Sequence, residues 1–273
     1  MHPIERLRYV ARAGGVEQAT LVRETASALS AFGDDSIGLV TACRRIIDRH
    51  PTSGPLWWLC ARVLVGEHPR DEAWNALEEI EDDRTGGALG YSLPDDSVVC
   101  VIGWPEIAGE ALVKRGDATV LAVDVGGEAT GLVQRLYRAD SEAVDITPDR
   151  MAGAVASSTL VVVESDAVGP THALAVAGSL PAVLLAREAG VPVWLVAGVG
   201  RLLPARMWEG MLARRDPGGD DLWEFDEDII PLDFVDAIVG PKGPQSPDIA
   251  IRRTDCPVAV ELFKDVGNQG GSW

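Results

Sequence analysis

Residues 158–201 constrain the fold of this chain more than any other segment. They contain an apolar strand over 159–163, a helix over 181–189 closed by Gly190, and a second apolar strand over 191–197. This order predicts a βαβ unit with two buried, parallel strands. In open α/β sheets, ligands bind at the carboxyl ends of such strands. The residues that follow the two strands are therefore candidates for a functional site, namely Glu164, Asp166, Gly198, Gly200 and Arg201.

The same alternation of strands and helices continues through the chain from residue 97. It predicts an α/β fold with a Rossmann-like, mainly parallel sheet and helices on both faces. Before residue 85, apolar residues recur at helical spacing, which indicates a helical domain. Between these parts, Gly, Pro and Asp replace the periodic apolar residues. We therefore predict a helical domain over 1–85, a linker over 86–96, a Rossmann-like domain over 97–265 and a flexible tail over 266–273.

The composition excludes several classes of protein. A formal net charge of -18, with lysine only at 114, 242 and 264, disfavours binding to nucleic acid. No apolar stretch reaches the roughly 18 residues of a membrane span, and the N-terminus lacks a signal-peptide core, so we expect a cytoplasmic protein without membrane contact. The four cysteines lie far apart, with no histidine at ligand spacing. Free thiols are expected, with neither a metal site nor a cofactor.

Carboxylates and glycines follow several of the predicted strands. Side chains alternate along a strand, so Glu164 and Asp166 should point to the same side, where they can share a proton, bind a cation or hold sugar hydroxyls. Alternatively, one of them caps the next loop and the other faces solvent. Asp124 favours the first interpretation, because three acids at one crevice are hard to explain by capping. Gly126 and Gly127 precede a helix, whose free amides favour an anion, although neither a GxGxxG nor a P-loop pattern is present.

The segment from 164 to 179 also carries three short motifs. It contains Glu164-Ser165-Asp166, then GPTH over 169–172, then AVAGS over 175–179. The order of strand, Asp, short loop, Gly-Ser and helix resembles the family of the translation initiation factor 2B alpha, beta and delta subunits. That family also includes methylthioribose-1-phosphate isomerase and ribose-1,5-bisphosphate isomerase. Its pattern is Gly-Ala-Asp, Asn-Gly and Asn-Lys-x-Gly-Thr, so the Asp and the Gly-Ser match while the Asn-Lys is absent.

Two further segments are similar to the same family. A Pro-Thr-Ser loop at 51–53 leads into an apolar helix, and FDEDIIPLDF at 225–234 is close to the family's Glu-x-x-Pro-Leu segment. The resemblance implies a two-fold dimer. Apolar residues mixed with charge after residue 202 are expected to contribute to its interface; they are Leu203, Met207, Trp208, Met211, Leu222 and Trp223.

The resemblance also implies where a site would lie. In the isomerases a cysteine after the first strand works with the matching Asp, and an arginine after the second strand holds phosphate. Those places are Gly103 and Gly126 here, so both groups are missing, and Cys100 lies inside its strand. Candidate catalytic residues are Asp166, Glu164 and His172. Candidate ligand-binding residues are Gly103, Asp124, Gly126, Gly127, Gly178, Ser179 and Arg201.

These observations leave more than one function open. The first is a non-isomerase, regulatory or ligand-binding protein that recognises a sugar phosphate, a nucleotide-like ligand or a protein partner. The second is an aldose-ketose isomerase that uses Asp166 with Glu164 or His172 as acid and base. The third is a structural subunit with a vestigial crevice. Alternatively, His172 is only an exposed loop residue and Arg201 only a surface residue.

Overall fold

The computed structural model describes residues 18–32, 35–216 and 221–263. The helices are α1 (Gln18–Leu29), α2 (Ser36–Arg49), α3 (Gly54–Val65), α4 (Pro69–Glu81), α5 (Thr85–Ser92), α6 (Glu106–Arg115), α7 (Ala129–Arg138), α8 (Met151–Ala156), α9 (Ser179–Ala189), α10 (Ala205–Arg215) and α11 (Pro247–Ala250). The strands are β1 (Val98–Ile102), β2 (Thr119–Val123), β3 (Ala143–Ile146), β4 (Leu160–Val168), β5 (His172–Val176), β6 (Val193–Val196), β7 (Glu227–Pro231), β8 (Ala237–Gly240) and β9 (Gly243–Gln245). The predicted tail, 266–273, and residues 1–17 lie outside the described residues.

The N-terminal helices pack around α3. This helix begins with a proline in its first turn and is apolar on every face, so it forms the centre of a core rather than its surface. Its tandem tryptophans, Trp57 and Trp58, are fully buried. The glycine at the start of α3 allows a close approach to the sheet, because a Cβ on Gly54 would lie 2.6 Å from the carbonyl oxygen of Asp166. The helical part and β4 are therefore in direct contact.

The main sheet has the order β3-β2-β1-β4-β6-β8-β9, and its strands are parallel except for β9. Strands β2 and β3 are added in turn on one side of β1, and β6, β8 and β9 are added in turn on the other side of β4. The direction of winding changes between β1 and β4, which is the place where ligands bind in folds of this kind. Separate apolar cores cover the two faces. The predicted α/β architecture with helices on both faces is confirmed.

Strand β4 continues well beyond its predicted end. Its first half pairs with β1 and β6, and its second half pairs antiparallel with β5, which in turn pairs with β7. A break in register at Asp166 separates the two halves. The expectation that Asp166 begins a loop is therefore wrong, since the residue lies at a bulge inside the strand. His172, expected in a loop, is the first residue of β5.

Two other expectations differ from the structure. Most of the predicted linker forms α5, which packs against α6 and β9 although it contains three glycines. Four of the residues expected at a dimer interface lie inside this chain, in the core around α3; they are Leu203, Met207, Trp208 and Met211. Leu222 and Trp223 are exposed. Within the described ranges, none of the helices combines the length and apolar character that a membrane crossing needs.

Candidate functional site

A buried ion pair lies at the change of winding between β1 and β4. Glu164 Oε1 is 2.9 Å from Nη2 of Arg201, and Glu164 Oε2 accepts the backbone N–H of Ala108 at 3.0 Å. Arg201 also donates to the carbonyl of Ser165 and is only 5% exposed. The interpretation of Arg201 as a surface residue is therefore wrong. Both charges are satisfied by the protein itself.

Asp166 lies beside this pair. Burial raises the pKa of its carboxyl group to about 7, Arg201 opposes the rise, and the acids Glu227, Glu164 and Glu106 add to it. A carboxyl group with such a pKa can gain or lose a proton near neutral pH. The sequence predicts that Asp166 and Glu164 lie close together. The structure shows both of them beside Arg201. It adds Glu106, which carries no local sequence signal for this site, and Glu227, which lies in the family-like segment 225–234.

The loop after β6 holds Arg201 in place. Gly198 lies against the carboxylate of Asp83, and a Cβ there would collide with it. Asp83 Oδ2 accepts the N–H of Val199 at 2.9 Å, while its Oδ1 accepts from the backbone and hydroxyl of Thr85 at 2.8 and 2.6 Å. Gly200 has a φ of +77°, which favours glycine, and packs on the α3 core. Sequence reasoning missed Asp83, although an Asp two residues before a Thr at a helix start is a turn signal.

Asp124 is separated from this cluster. It follows β2, and β1 lies between β2 and β4. Its Oδ1 accepts the N–H of Ala129 at 3.2 Å, at the start of α7. Asp124 therefore caps a helix, which is the role that the sequence argument disfavoured, and it is absent from the charges that act on Asp166.

Val125 occupies the space between two of the predicted ligand-binding glycines. A Cβ on Gly178 would lie 2.6 Å from Cγ1 of Val125, and a Cβ on Gly103 would lie 3.7 Å from its Cγ2. Both glycines have positive φ angles, +95° and +63°. Gly126 and Gly127 face open space at the positions where a Cβ would be. The crevice between Gly103 and Gly178 is thus filled by a side chain of the chain itself.

The start of α9 also holds a carboxylate. Asp228 Oδ2 accepts the N–H groups of Gly178 and Leu180 at 2.8 and 2.9 Å. Ser179 is fully buried, and its Oγ has no hydrogen-bond partner in the described part of the chain. Three helix N-termini around this edge therefore carry acids of the chain: Glu164 on α6, Asp124 on α7 and Asp228 on α9. Helix N-termini are the places where anions such as phosphate bind.

The remaining candidates lie away from Asp166 or are unreactive. His172 is paired with Gly169 and hydrogen-bonded to the Thr171 hydroxyl at 2.9 Å. Gly169 follows the end of β4 and is three residues beyond Asp166, which is about 10 Å at the rise of an extended strand. Burial raises the pKa of Cys100 to about 12, so its thiol is protonated and unreactive. The described residues contain no group of three or more acidic, histidine or cysteine side chains able to hold a metal ion.

A cleft of ≈ 490 Å³ opens next to Arg201, between the helical part and α6. Its cations are Arg23, Lys114 and Arg201. Each of them is paired with a carboxylate: Arg23 with Glu81 at 2.7 Å, Lys114 with Glu110 at 3.5 Å and Arg201 with Glu164 at 2.9 Å. Among the described residues, this cleft therefore offers no unpaired cation to an anionic ligand.

Neither a protein-family model nor a curated protein matches this sequence. Solved structures match its fold. The translation initiation factor eIF-2B of Pyrococcus horikoshii OT3 superposes with a TM-score of 0.74 at 16% identity, over 91% of this chain and 98% of that one. The chain has the eIF-2B fold.

Two further structures agree with this result. The eIF2B beta subunit of Chaetomium thermophilum has a TM-score of 0.72 and 18% identity, and covers 95% of this chain and 91% of that one. The tetrameric eIF2B-beta2-delta2 complex from the same organism gives 0.74 and 18%, with 92% of each chain covered. The resemblance inferred from the motifs of residues 164–179 is thus confirmed at the level of the eIF-2B fold.

Proposed function

We propose that this protein is a non-isomerase, regulatory member of the initiation factor 2B-like proteins, which acts by binding a protein partner. The observation that carries the proposal is the closed crevice, where the side chain of Val125 fills the space between Gly103 and Gly178. Gly103 takes the place of the cysteine in the isomerase resemblance, so a substrate that reacted there would lie against Val125. The absence of the family's cysteine, arginine and Asn-Lys motif from the sequence agrees with it.

The electrostatics also argue against a phosphorylated ligand, which the sequence left open. A phosphate at any of the three helix N-termini would displace Asp124, Glu164 or Asp228, each hydrogen-bonded to backbone amides. Displacement would leave a carboxylate without its donors beside a new anion. The formal charge of -18 adds long-range repulsion. A protein partner does not face these barriers.

The fold supports a role in assembly. One structure with the same fold is a tetrameric eIF2B complex, and we propose that this chain likewise forms a homodimer in the cytoplasm. Leu222 is 82% exposed and Trp223 79% exposed. A large, exposed aromatic residue of this kind is typical of the centre of a protein interface.

One observation favours the alternative of a sugar-phosphate isomerase. The pKa of Asp166, about 7, suits a general acid or base. Its proposed partners are less suitable. Glu164 is held by Arg201 and Ala108, and His172 lies further along the β4–β5 hairpin.

Turnover and binding assays with methylthioribose 1-phosphate and ribose 1,5-bisphosphate test the proposal. We expect no isomerisation by the wild-type protein and no thermal shift with either compound or with inorganic phosphate. A Val125→Ala variant, which opens the crevice, serves as the comparison. Turnover that disappears in Asp166→Asn would replace the proposal with the isomerase alternative.

A further inference from the structure

A second cleft lies apart from the crevice at β1 and β4. It has a volume of ≈ 770 Å³ and lies between α4 and the carboxyl ends of β6 and β8, under the β8–β9 hairpin. Sites for small molecules have volumes of roughly 300–1,000 Å³ and an apolar floor with a few polar groups. The floor here is apolar, formed by Ala197, Val199, Leu202, Ile238 and Ala250.

The two walls of this cleft carry opposite charges. Glu78 and Asp82 lie on the α4 side, and Lys242 and Arg253 lie on the side of the hairpin and α11. In the part of the chain that the structure describes, none of these four side chains is engaged in a hydrogen bond or an ion pair. The neighbouring Arg62 and Asp255 also line the cleft but have partners. Arg62 is paired with Glu72 at 2.9 Å and Glu79 at 2.6 Å, and Asp255 Oδ1 accepts the indole N–H of Trp58 at 3.1 Å.

The acidic wall is unfavourable in the empty protein. Glu78 and Asp82 are four residues apart at the C-terminal end of α4, so they are neighbours on one helix face. Like charges at this spacing repel, and acids at a helix C-terminus also oppose the helix dipole. An ammonium group bound between them would relieve both effects. On the opposite wall, the guanidinium of Arg253 is suited to a carboxylate, with Lys242 as a second cation.

We propose that this cleft binds a short apolar peptide with free termini, such as a dipeptide or tripeptide. Its ammonium group would lie against Glu78 and Asp82, its carboxylate against Lys242 and Arg253, and its side chains on the apolar floor. A single amino acid would leave a cleft of ≈ 770 Å³ partly empty. A polyanion such as a nucleotide would meet the unpaired acids. The inference goes beyond the proposed function and does not rest on it, because the two sites share no charged residue.

Calorimetry with dileucine and trileucine tests the inference. The N-acetyl and C-terminal amide forms of the same peptides each remove one terminal charge. We expect the dissociation constant of each form to be at least about tenfold higher than that of the free peptide, as is usual when a charge-assisted hydrogen bond is lost.

Variants assign each terminus to its wall. Arg253→Gln should lower the affinity for the free peptide to that of the C-terminal amide, and should leave the affinity for the amide unchanged. Asp82→Asn should lower the affinity for the free peptide to that of the N-acetyl form, and should leave the affinity for the N-acetyl form unchanged. The matched controls are Arg252→Gln and Asp71→Asn, which change exposed residues outside the cleft. All four residues are exposed, so the variants should fold as the wild type does.

Failure of the free peptides to bind, or binding that responds to the controls as much as to the cleft variants, would overturn the proposal. Arg253-dependent binding of a sugar phosphate without peptide binding would also overturn it.

Discussion

At the scale of single residues, burial decides the chemistry of the acids near β4. Asp166 has the raised pKa because it loses hydration and because Glu227, Glu164 and Glu106 surround it, with Arg201 giving only partial compensation. Glu164 receives the direct ion pair with Arg201 instead. Two carboxylates that are two positions apart on one strand therefore have different roles, which strand alternation alone does not distinguish.

We predict that Asp166→Asn stabilises the protein above neutral pH. The folded-state pKa, about 7, lies above the ordinary value of 3.8, so between these values the native state keeps a proton that the unfolded state has lost. The contribution of Asp166 to the stability of the wild type therefore falls as the pH rises through this window and does not change further above it. Urea unfolding should show the variant about 2–4 kcal/mol more stable at pH 8, and equal near pH 4.

The control for this prediction is Asp248→Asn, which makes the same substitution at an exposed position away from β4. If Asp166→Asn is instead less stable at every pH, Asp166 is needed to form the bulge and its charge is irrelevant to stability.

A second prediction concerns the buried ion pair. Arg201→Gln leaves Glu164 buried without its partner, and such a change costs about 3–5 kcal/mol. Adding Glu164→Gln should recover part of the loss. Arg23→Gln breaks a pair of similar length, 2.7 Å, that is largely exposed, and should cost below about 1 kcal/mol in the same denaturation assay. Equal costs for the two arginine variants would mean that the Arg201 pair is solvated.

At the scale of elements, the sequence predicts those that are defined by local pattern. α9 ends before Gly190 as expected, because an apolar run followed by a glycine in the left-handed conformation is a local signal. The β4–β5–β7 pairing was missed because it is non-local and because the polar residues at 164 and 166 resemble the end of a strand. Helix α5 was not predicted because its three glycines disfavour a helix locally, whereas the packing of Leu89 in the core with residues of the sheet is a tertiary contact.

The element-scale prediction concerns the start of α9. Gly178→Ala should be destabilising by two effects, the left-handed φ of +95° and the contact with Val125 at 2.6 Å. The first effect costs about 1–2 kcal/mol, and overpacking adds about 1–3 kcal/mol.

Two control variants separate these effects. Gly190 has a φ of +68° and open space where a Cβ would lie, so Gly190→Ala reports the first effect alone. Gly126 has open space as well and no positive φ, so Gly126→Ala should change the stability little. A Val125→Ala change should rescue part of the loss in Gly178→Ala, as measured by thermal unfolding. If it rescues nothing, Val125 does not fill the crevice.

At the scale of the whole molecule, the order of a helical part followed by an α/β part was correctly predicted from the change in periodicity. The way in which the parts join was not, because Asp83 and Val199 are far apart in the sequence and no pattern links them. For the same reason, the sequence indicates only some of the residues that meet near Asp166. In the sequence, Asp166, Glu164 and Arg201 follow apolar runs, whereas Asp83, Asp228 and Glu227 reach the site through tertiary contacts.

The prediction at this scale is self-association. Light scattering at micromolar concentration should give the mass of a dimer, and Trp223→Glu should shift the mass toward that of a monomer, because it places a charge in the proposed interface. Tyr91→Glu changes a side chain that is 92% exposed elsewhere and should leave the mass unchanged. A monomer mass for the wild type would refute the homodimer.

The acids at the starts of α6, α7 and α9 have one further consequence, which concerns thermodynamic linkage. A ligand that binds only the native state raises its stability with concentration. In this chain the groups that accept hydrogen bonds from those helix amides are side chains of the protein itself. Their concentration at the helix starts therefore does not depend on the solution. The melting temperature should therefore respond to phosphate no more than to sulfate at the same ionic strength, since both salts then act only by exclusion from the protein surface.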